Sequence, residues 1–149
     1  MADIVSPAVR SRMMAGIRGK DTRPEMAVRR AMHGRGYRYR LHVKDLPGKP
    51  DIVFPRFGAV VFIHGCFWHG HACPLFKIPS TRLHFWRAKI DRNRANDAKA
   101  IAVLRAADWR VAVVWECALK GKKMAGIAAV ADALQAWLEG GDAWREVSG

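Results

Sequence analysis

Two short apolar runs, Ala59 to Ile63 and Val111 to Trp115, constrain this chain more than any other feature. Each has the length of a buried strand and falls far short of the ~20 residues a membrane helix needs. Trp109 to Trp115 is β-branched, apolar and bounded by polar residues, so it reads as a central strand. Between the two runs the pattern turns helical. Ser80-Thr81 can cap a helix reaching about Ile90, and Asn93 to Ala107 is a second helical stretch with Ile101 and Leu104 on its apolar face.

Upstream, Thr22-Arg23-Pro24-Glu25 is a capping box with Pro in the first turn, opening a helix that ends near Gly34 or Gly36. Tyr37, Tyr39, Leu41 and Val43 alternate with Arg38, Arg40, His42 and Lys44, the period of a half-buried strand with one basic face. After the turn Leu46-Pro47-Gly48-Lys49-Pro50, Asp51 to Phe54 is a second strand, and Pro55 to Gly58 is a tight turn into the third. Met124 to Leu138 is an Ala-rich helix ended by Gly140-Gly141. The order of helix, three strands, helices, strand and helix predicts an α/β fold with one mixed central sheet flanked by helices. The 149 residues suit one domain: residues 1–20 form a basic arm and residues 21–149 the domain itself.

Charge narrows the function. The net charge is +13, and all of the excess lies in the first hundred residues, since residues 101–149 carry equal numbers of basic and acidic side chains. A polyanion, above all nucleic acid, is the expected partner of that region. The first residues lack the apolar run of a signal peptide, which predicts a cytoplasmic protein. Three cysteines in a reducing compartment point to metal ligation or burial rather than to disulfides.

Four constellations carry candidate chemistry. Cys66, His71, Cys73 and Cys117 offer the Cys3His set of a closed structural zinc site, the alternative being buried cysteines with surface histidines. His64 and His69 remain for acid–base work near neutral pH, or as satisfied polar residues. Asp51, at the entry to a strand, can hold Mg2+ or simply occupy a turn, and Glu25 has its capping role as an alternative to a catalytic one. Phe67 and Trp68 in a polar loop, with Trp86 on a basic helix, suit insertion between bases; Trp86 could equally serve the core.

The run Phe62-Ile63-His64-Gly65-Cys66-Phe67-Trp68-His69-Gly70-His71-Ala72-Cys73, preceded by Leu46 to Asp51 and followed by Val114-Trp115-Glu116-Cys117-Ala118-Leu119, resembles the very-short-patch repair (Vsr-type) DNA mismatch endonucleases. The resemblance extends from about Arg10 to Trp137. It implies a restriction-endonuclease-like core and nicking of one DNA strand 5′ to the T of a T:G mismatch arising from 5-methylcytosine deamination.

By the same resemblance, Asp51 and the Ile63 main-chain carbonyl hold a catalytic Mg2+. His69 acts as the base, His64 positions water or phosphate, and Glu25 orders water around the metal. Cys66, His71, Cys73 and Cys117 bind structural Zn2+. Phe67, Trp68 and Trp86 form the wedge beside the mismatch, and Met14 lies in an arm reaching the opposite groove. Position 63 often holds Thr in this family, and here Ile63 can supply only its carbonyl. The implied partners are mismatched duplex DNA and general mismatch-repair proteins, met as a monomer at the nucleoid. Two rival readings are a zinc-stapled DNA-binding module without catalysis and a restriction-type nuclease without mismatch specificity.

Overall fold

Alternation along the central strands divides the core into two halves, and the helices follow from that division. The computed structural model describes residues 22–71, 80–120 and 123–149. Helix α1 (Arg23–Gly34) starts where the capping box places it, the Thr22 hydroxyl accepting from the Glu25 amide at 3.4 Å. Strands β1 (Arg40–Leu41), β2 (Ile52–Phe54) and β3 (Ala59–His64) follow, then helix α2 (Leu83–Ala106), strand β4 (Arg110–Trp115), helix α3 (Ile127–Glu139) and strand β5 (Trp144–Val147). The five strands form one sheet in the order β1-β2-β3-β4-β5. The first three are antiparallel, and β4 and β5 add in parallel, which makes the sheet mixed.

Ala59, Val61 and Ile63 of β3 face one way with Ala112 and Val114 of β4, packing against Val28 and Met32 of α1 and Leu134, Trp137 and Leu138 of α3. Val60, Phe62, Val111 and Val113 face the other way, toward Leu104 of α2. The period-2 alternation of a strand therefore dictates a helix–sheet–helix sandwich. It also sends His64, the next residue in the alternating series after Phe62, toward α2.

Four sequence expectations need correction. The strand expected over Tyr37 to Lys44 is paired only at Arg40–Leu41, because Tyr37 and Tyr39 turn edge-on to Phe54 and His42 takes a left-handed backbone (φ 50°) that ends the ladder. The two helices expected from Ser80 to Ala107 are one 24-residue helix, whose N-cap is Arg82 with no side-chain cap bond, so Ser80 and Thr81 do not cap it. The last helix starts at Ile127 rather than Met124, where φ is 53°. The edge strand β5 was not foreseen. Among the described residues no helix is long and apolar enough to cross a membrane.

Arg110 joins the parallel half of the sheet to α3. Its guanidinium donates to the main-chain carbonyls of Trp137, Leu138, Gly140 and Asp142, satisfying a helix end that would otherwise be left with orphan acceptors. Arg110→Ala is expected to lower stability by roughly 2 kcal/mol, the scale of charge-assisted hydrogen bonds, as read by denaturant titration.

Candidate active site and metal centres

The register of β3 on β4 places His64 opposite Trp115, so the residues just beyond the two strands come together. The Cys66 amide donates to Glu116 Oε1 at 2.9 Å, and the His71 amide donates to the Cys66 carbonyl at 2.9 Å. One ligand atom each from Cys66, His71 and Cys117 then lie within 4.8 Å of one another, with Cys117 Sγ 3.5 Å from His71 Nδ1. Two thiols and an imidazole at this spacing are soft donors suited to zinc. Cys73 and Met14 lie outside the described residues.

The loop reaching this cluster needs Gly70. Its φ is +62°, and an added Cβ would stand 2.7 Å from Ile90 Cγ2 and 2.9 Å from Arg94 Cδ on α2. Gly70→Ala should therefore shift the loop and lower the melting point by several degrees, since neither the left-handed backbone nor the space suits a Cβ; a thermal melt checks it.

A cleft of about 630 Å³ opens beside the loop and is lined by the carboxylates of Glu25, Asp51 and Asp97 and the rings of His64, His69 and Trp68. Asp51 stands at the mouth of β2, and its Oδ2 accepts from the Ile63 amide at 2.6 Å. Burial, opposed by that amide and reinforced by the neighbouring Glu25 carboxylate, pushes the Asp51 carboxyl up to about 7. Glu25 is 5% exposed. The contact between Asp51 and Ile63 runs through the Ile63 amide, while the Ile63 side chain belongs to the core beneath α1 and α3.

His64 and His69 stack face to face, their centroids 3.9 Å apart and their planes within 5°. Asp97 of α2 meets both: its Oδ2 is hydrogen-bonded to His69 Nδ1, and its Oδ1 is 4.0 Å from His64 Nε2. A carboxylate on Nδ1 holds the proton there and leaves Nε2 of His69 with the lone pair. Burial, with His69 alongside and against the pull of Asp97, holds the His64 pKa down to about 3.

The consequence for stability has a definite sign. His64 is neutral in the fold, so its contribution is present above the unfolded value of about 6.5 and is lost as pH falls toward 3. Asp51 acts in the opposite sense, because its raised pKa relieves a penalty as pH falls through 7. The difference in melting point between wild type and His64→Phe isolates the first: wild type should lose ground steadily on acidification below about 6.5.

Phe67, Trp68 and Trp86 form one cluster at the rim, with centroid separations of 5.1 Å, 5.5 Å and 6.0 Å. The Lys89 ammonium lies 5.6 Å from the Trp68 ring, and Asn93 Nδ2 donates to the Trp68 carbonyl at 2.8 Å. The three aromatics singled out in the sequence therefore sit together, half-buried, beside the acidic cleft.

Four residues of the site were not singled out by sequence. Asp97 and Asn93 fall on α2 at the spacing of the buried Ile90, Ala100 and Leu104, and polar residues interrupting a core-facing stripe are the signal that could have revealed them. His42 read as part of a basic strand face, yet its Nε2 is 3.6 Å from Glu25 Oε2. Trp115 read as core, and it does bridge the two centres, stacked on His71 at 4.2 Å and edge-on to His64 at 5.1 Å.

The sequence as a whole is similar to known proteins. The family model described as DNA mismatch endonuclease Vsr matches residues 2–75. The DNA mismatch endonuclease Vsr of Escherichia coli (strain K12) is 40% identical over 147 residues, covering 99% of this chain and 94% of that protein. The type II nicking enzyme V.XorIIP of Xanthomonas oryzae pv. oryzae is 56% identical over 119 residues, 80% of this chain and 88% of its own. The type II nicking enzyme V.NmeAIP of Neisseria meningitidis is 45% identical over 122 residues, 82% of this chain and 87% of its own. With identity of this order along almost its whole length, the chain belongs to the Vsr family of DNA mismatch endonucleases.

Proposed function

We propose that this endonuclease has a restriction-endonuclease-like core and nicks one strand of duplex DNA 5′ to the T of a T:G mismatch left by deamination of 5-methylcytosine, so initiating very-short-patch repair. The observation that carries the reading is the convergence in one cleft of the Glu25 and Asp51 carboxylates, an Asp97-bound His69 and a rim of aromatics packed edge-on and tilted against one another.

The donor chemistry fits a hard divalent cation. Asp51 and Glu25 are neighbouring oxygen donors; burial first and the Glu25 charge after it raise the Asp51 pKa, and a cation would relieve both penalties. Asp51, through the oxygen not bonded to Ile63, and the Ile63 carbonyl would hold Mg2+. When bound, it supplies Lewis-acid polarisation of the scissile phosphate. Glu25 orders water at that edge of the cleft. The second donor set, Cys66, His71 and Cys117 with Cys73 as the proposed fourth ligand, suits Zn2+ in a structural role.

His69 Nε2 takes a proton from the attacking water. The water oxygen bonds to phosphorus as the P–O bond to the leaving sugar oxygen breaks, that oxygen takes a proton from solvent to leave as a hydroxyl, and Asp97 stabilises the imidazolium formed on His69 until it returns its proton to solvent. His64, held neutral, packs the His69 ring flat and positions phosphate or water without adding charge.

Mismatch preference is assigned to the aromatic rim. Lys and Arg contacts to phosphate are blind to pairing, whereas a wedge gains only where a base step opens, and a T:G step opens at lower cost than a paired one. Trp68→Ala and Trp86→Ala should each lower the ratio of T:G to matched nicking more than they lower salt-sensitive general binding. The nick itself is tested on an end-labelled T:G duplex with Mg2+. A single cut immediately 5′ to the mismatched T supports the reading, and cuts on both strands or elsewhere overturn it.

A further inference from the structure

His42 belongs to the cleft, yet the mechanism above gives it no task. Its side chain is 18% exposed and faces Glu25, and ligand atoms of Glu25, His42 and Asp51 all lie within 4.8 Å of one another. Two ligands sharing an ion at about 2.1 Å stand roughly 3 Å apart when adjacent. The 3.6 Å from His42 Nε2 to Glu25 Oε2 is therefore within a small ring rotation of that separation.

The backbone is arranged to bring the ring there. The His42 amide makes one last rung in the register of β1 on β2, donating to the Asp51 carbonyl at 3.4 Å, and the residue then adopts φ 50°, which residues bearing a Cβ rarely take. That bond ties the ring's position to the strand entry that carries Asp51.

We infer that His42 is a nitrogen ligand in this cleft, so that Glu25, His42 and Asp51 together favour a first-row transition ion such as Mn2+ over Mg2+. The inference rests on the cleft being the catalytic metal site. Mg2+ keeps to oxygen ligands and gains little from an imidazole, whereas Mn2+ and its heavier neighbours bind mixed nitrogen–oxygen sets progressively better. Glu25 and Asp51 alone would hold either ion comparably. His42 would separate them.

The test measures binding rather than turnover. Zinc-loaded protein is titrated with Mn2+ by electron paramagnetic resonance and with Mg2+ by calorimetry, for wild type, His42→Ala, His42→Gln and Asp51→Asn, each checked for an unaltered melting profile. Wild type should prefer Mn2+ on the order of tenfold, and both His42 variants should bring the two ions within about threefold while leaving Mg2+ affinity nearly unchanged. Nitrogen modulation in the pulsed spectrum of bound Mn2+ should be present in wild type and lost or greatly reduced in the His42 variants. If the ratio and the modulation survive replacement of His42, or if both ions weaken equally, the inference is overturned; were the Ala variant to misfold, the Gln variant and the wild-type spectrum still decide it. Asp51→Asn separates the levels: undiminished binding there overturns the reading of the cleft itself, while lost binding with an unchanged ratio in the His42 variants overturns only the role of His42.

Discussion

Asp51→Ala is expected to reduce nicking on the order of a thousandfold or more while leaving DNA affinity within about threefold, because in the proposed mechanism the carboxylate would hold a cation whose charge stabilisation amounts to several kcal/mol and would make no phosphate contact of its own. The geometry argues for this split. Asp51 is half-buried at the mouth of β2, its carboxylate tied to the Ile63 amide and set against Glu25, whereas the cationic groups of the same cleft are the separate side chains of Lys44, Lys49 and Lys89. Mobility-shift titration alongside a nicking assay gives both quantities from one preparation. Binding that falls in parallel with activity would make Asp51 a structural residue, and full activity would remove it from the mechanism. His69→Ala should follow the same pattern, at a cost on the order of a hundredfold or more for loss of a general base.

Disruption of the Cys66, His71 and Cys117 cluster, the proposed zinc site, is expected to have a wider effect. Cys66 and Cys117 stand just beyond β3 and β4, and the loop between Cys66 and His71 carries Phe67, Trp68 and His69. A metal joining those residues would fix the aromatic rim and His69 in one step. Trp115 passes the constraint onward, stacked on His71 and against His64. Cys117→Ala should therefore lose bound zinc, lower the melting point strongly and abolish nicking together, since site formation and folding share one free energy. Metal analysis of the wild-type protein should return about one zinc per chain. A folded, reduced wild-type protein without zinc would contradict this account of the loop.

Much of this arrangement was legible in the sequence because it depends on local rules. The alternation of Ala59 to His64 and Arg110 to Trp115 sorted the core and also fixed which face His64 occupies. Thr22 and Pro24 located α1 through capping chemistry that needs no tertiary partner. Asp97 was not legible: its pairing with His69 spans 28 residues of chain and depends on the packing angle of α2, which no local pattern encodes. His42 was misread for a related reason. A period-2 pattern cannot announce the one left-handed residue that turns a ring from the expected basic face into the cleft. The edge strand β5 is exposed along most of its length, so the apolar signal that marks β3 and β4 is missing from it.

The central claim is mismatch-directed nicking, and the most direct measurement is the single-turnover nicking rate on two duplexes of identical sequence and length. One carries T:G and the other C:G at the same site, both in the methylation context and both with Mg2+. The account predicts rapid cutting of the T strand in the first duplex and a rate lower by on the order of a hundredfold or more in the second, because only the mismatched step opens cheaply to the Phe67, Trp68 and Trp86 cluster. Equal rates on the two duplexes would contradict it and leave a nuclease of this family without mismatch specificity.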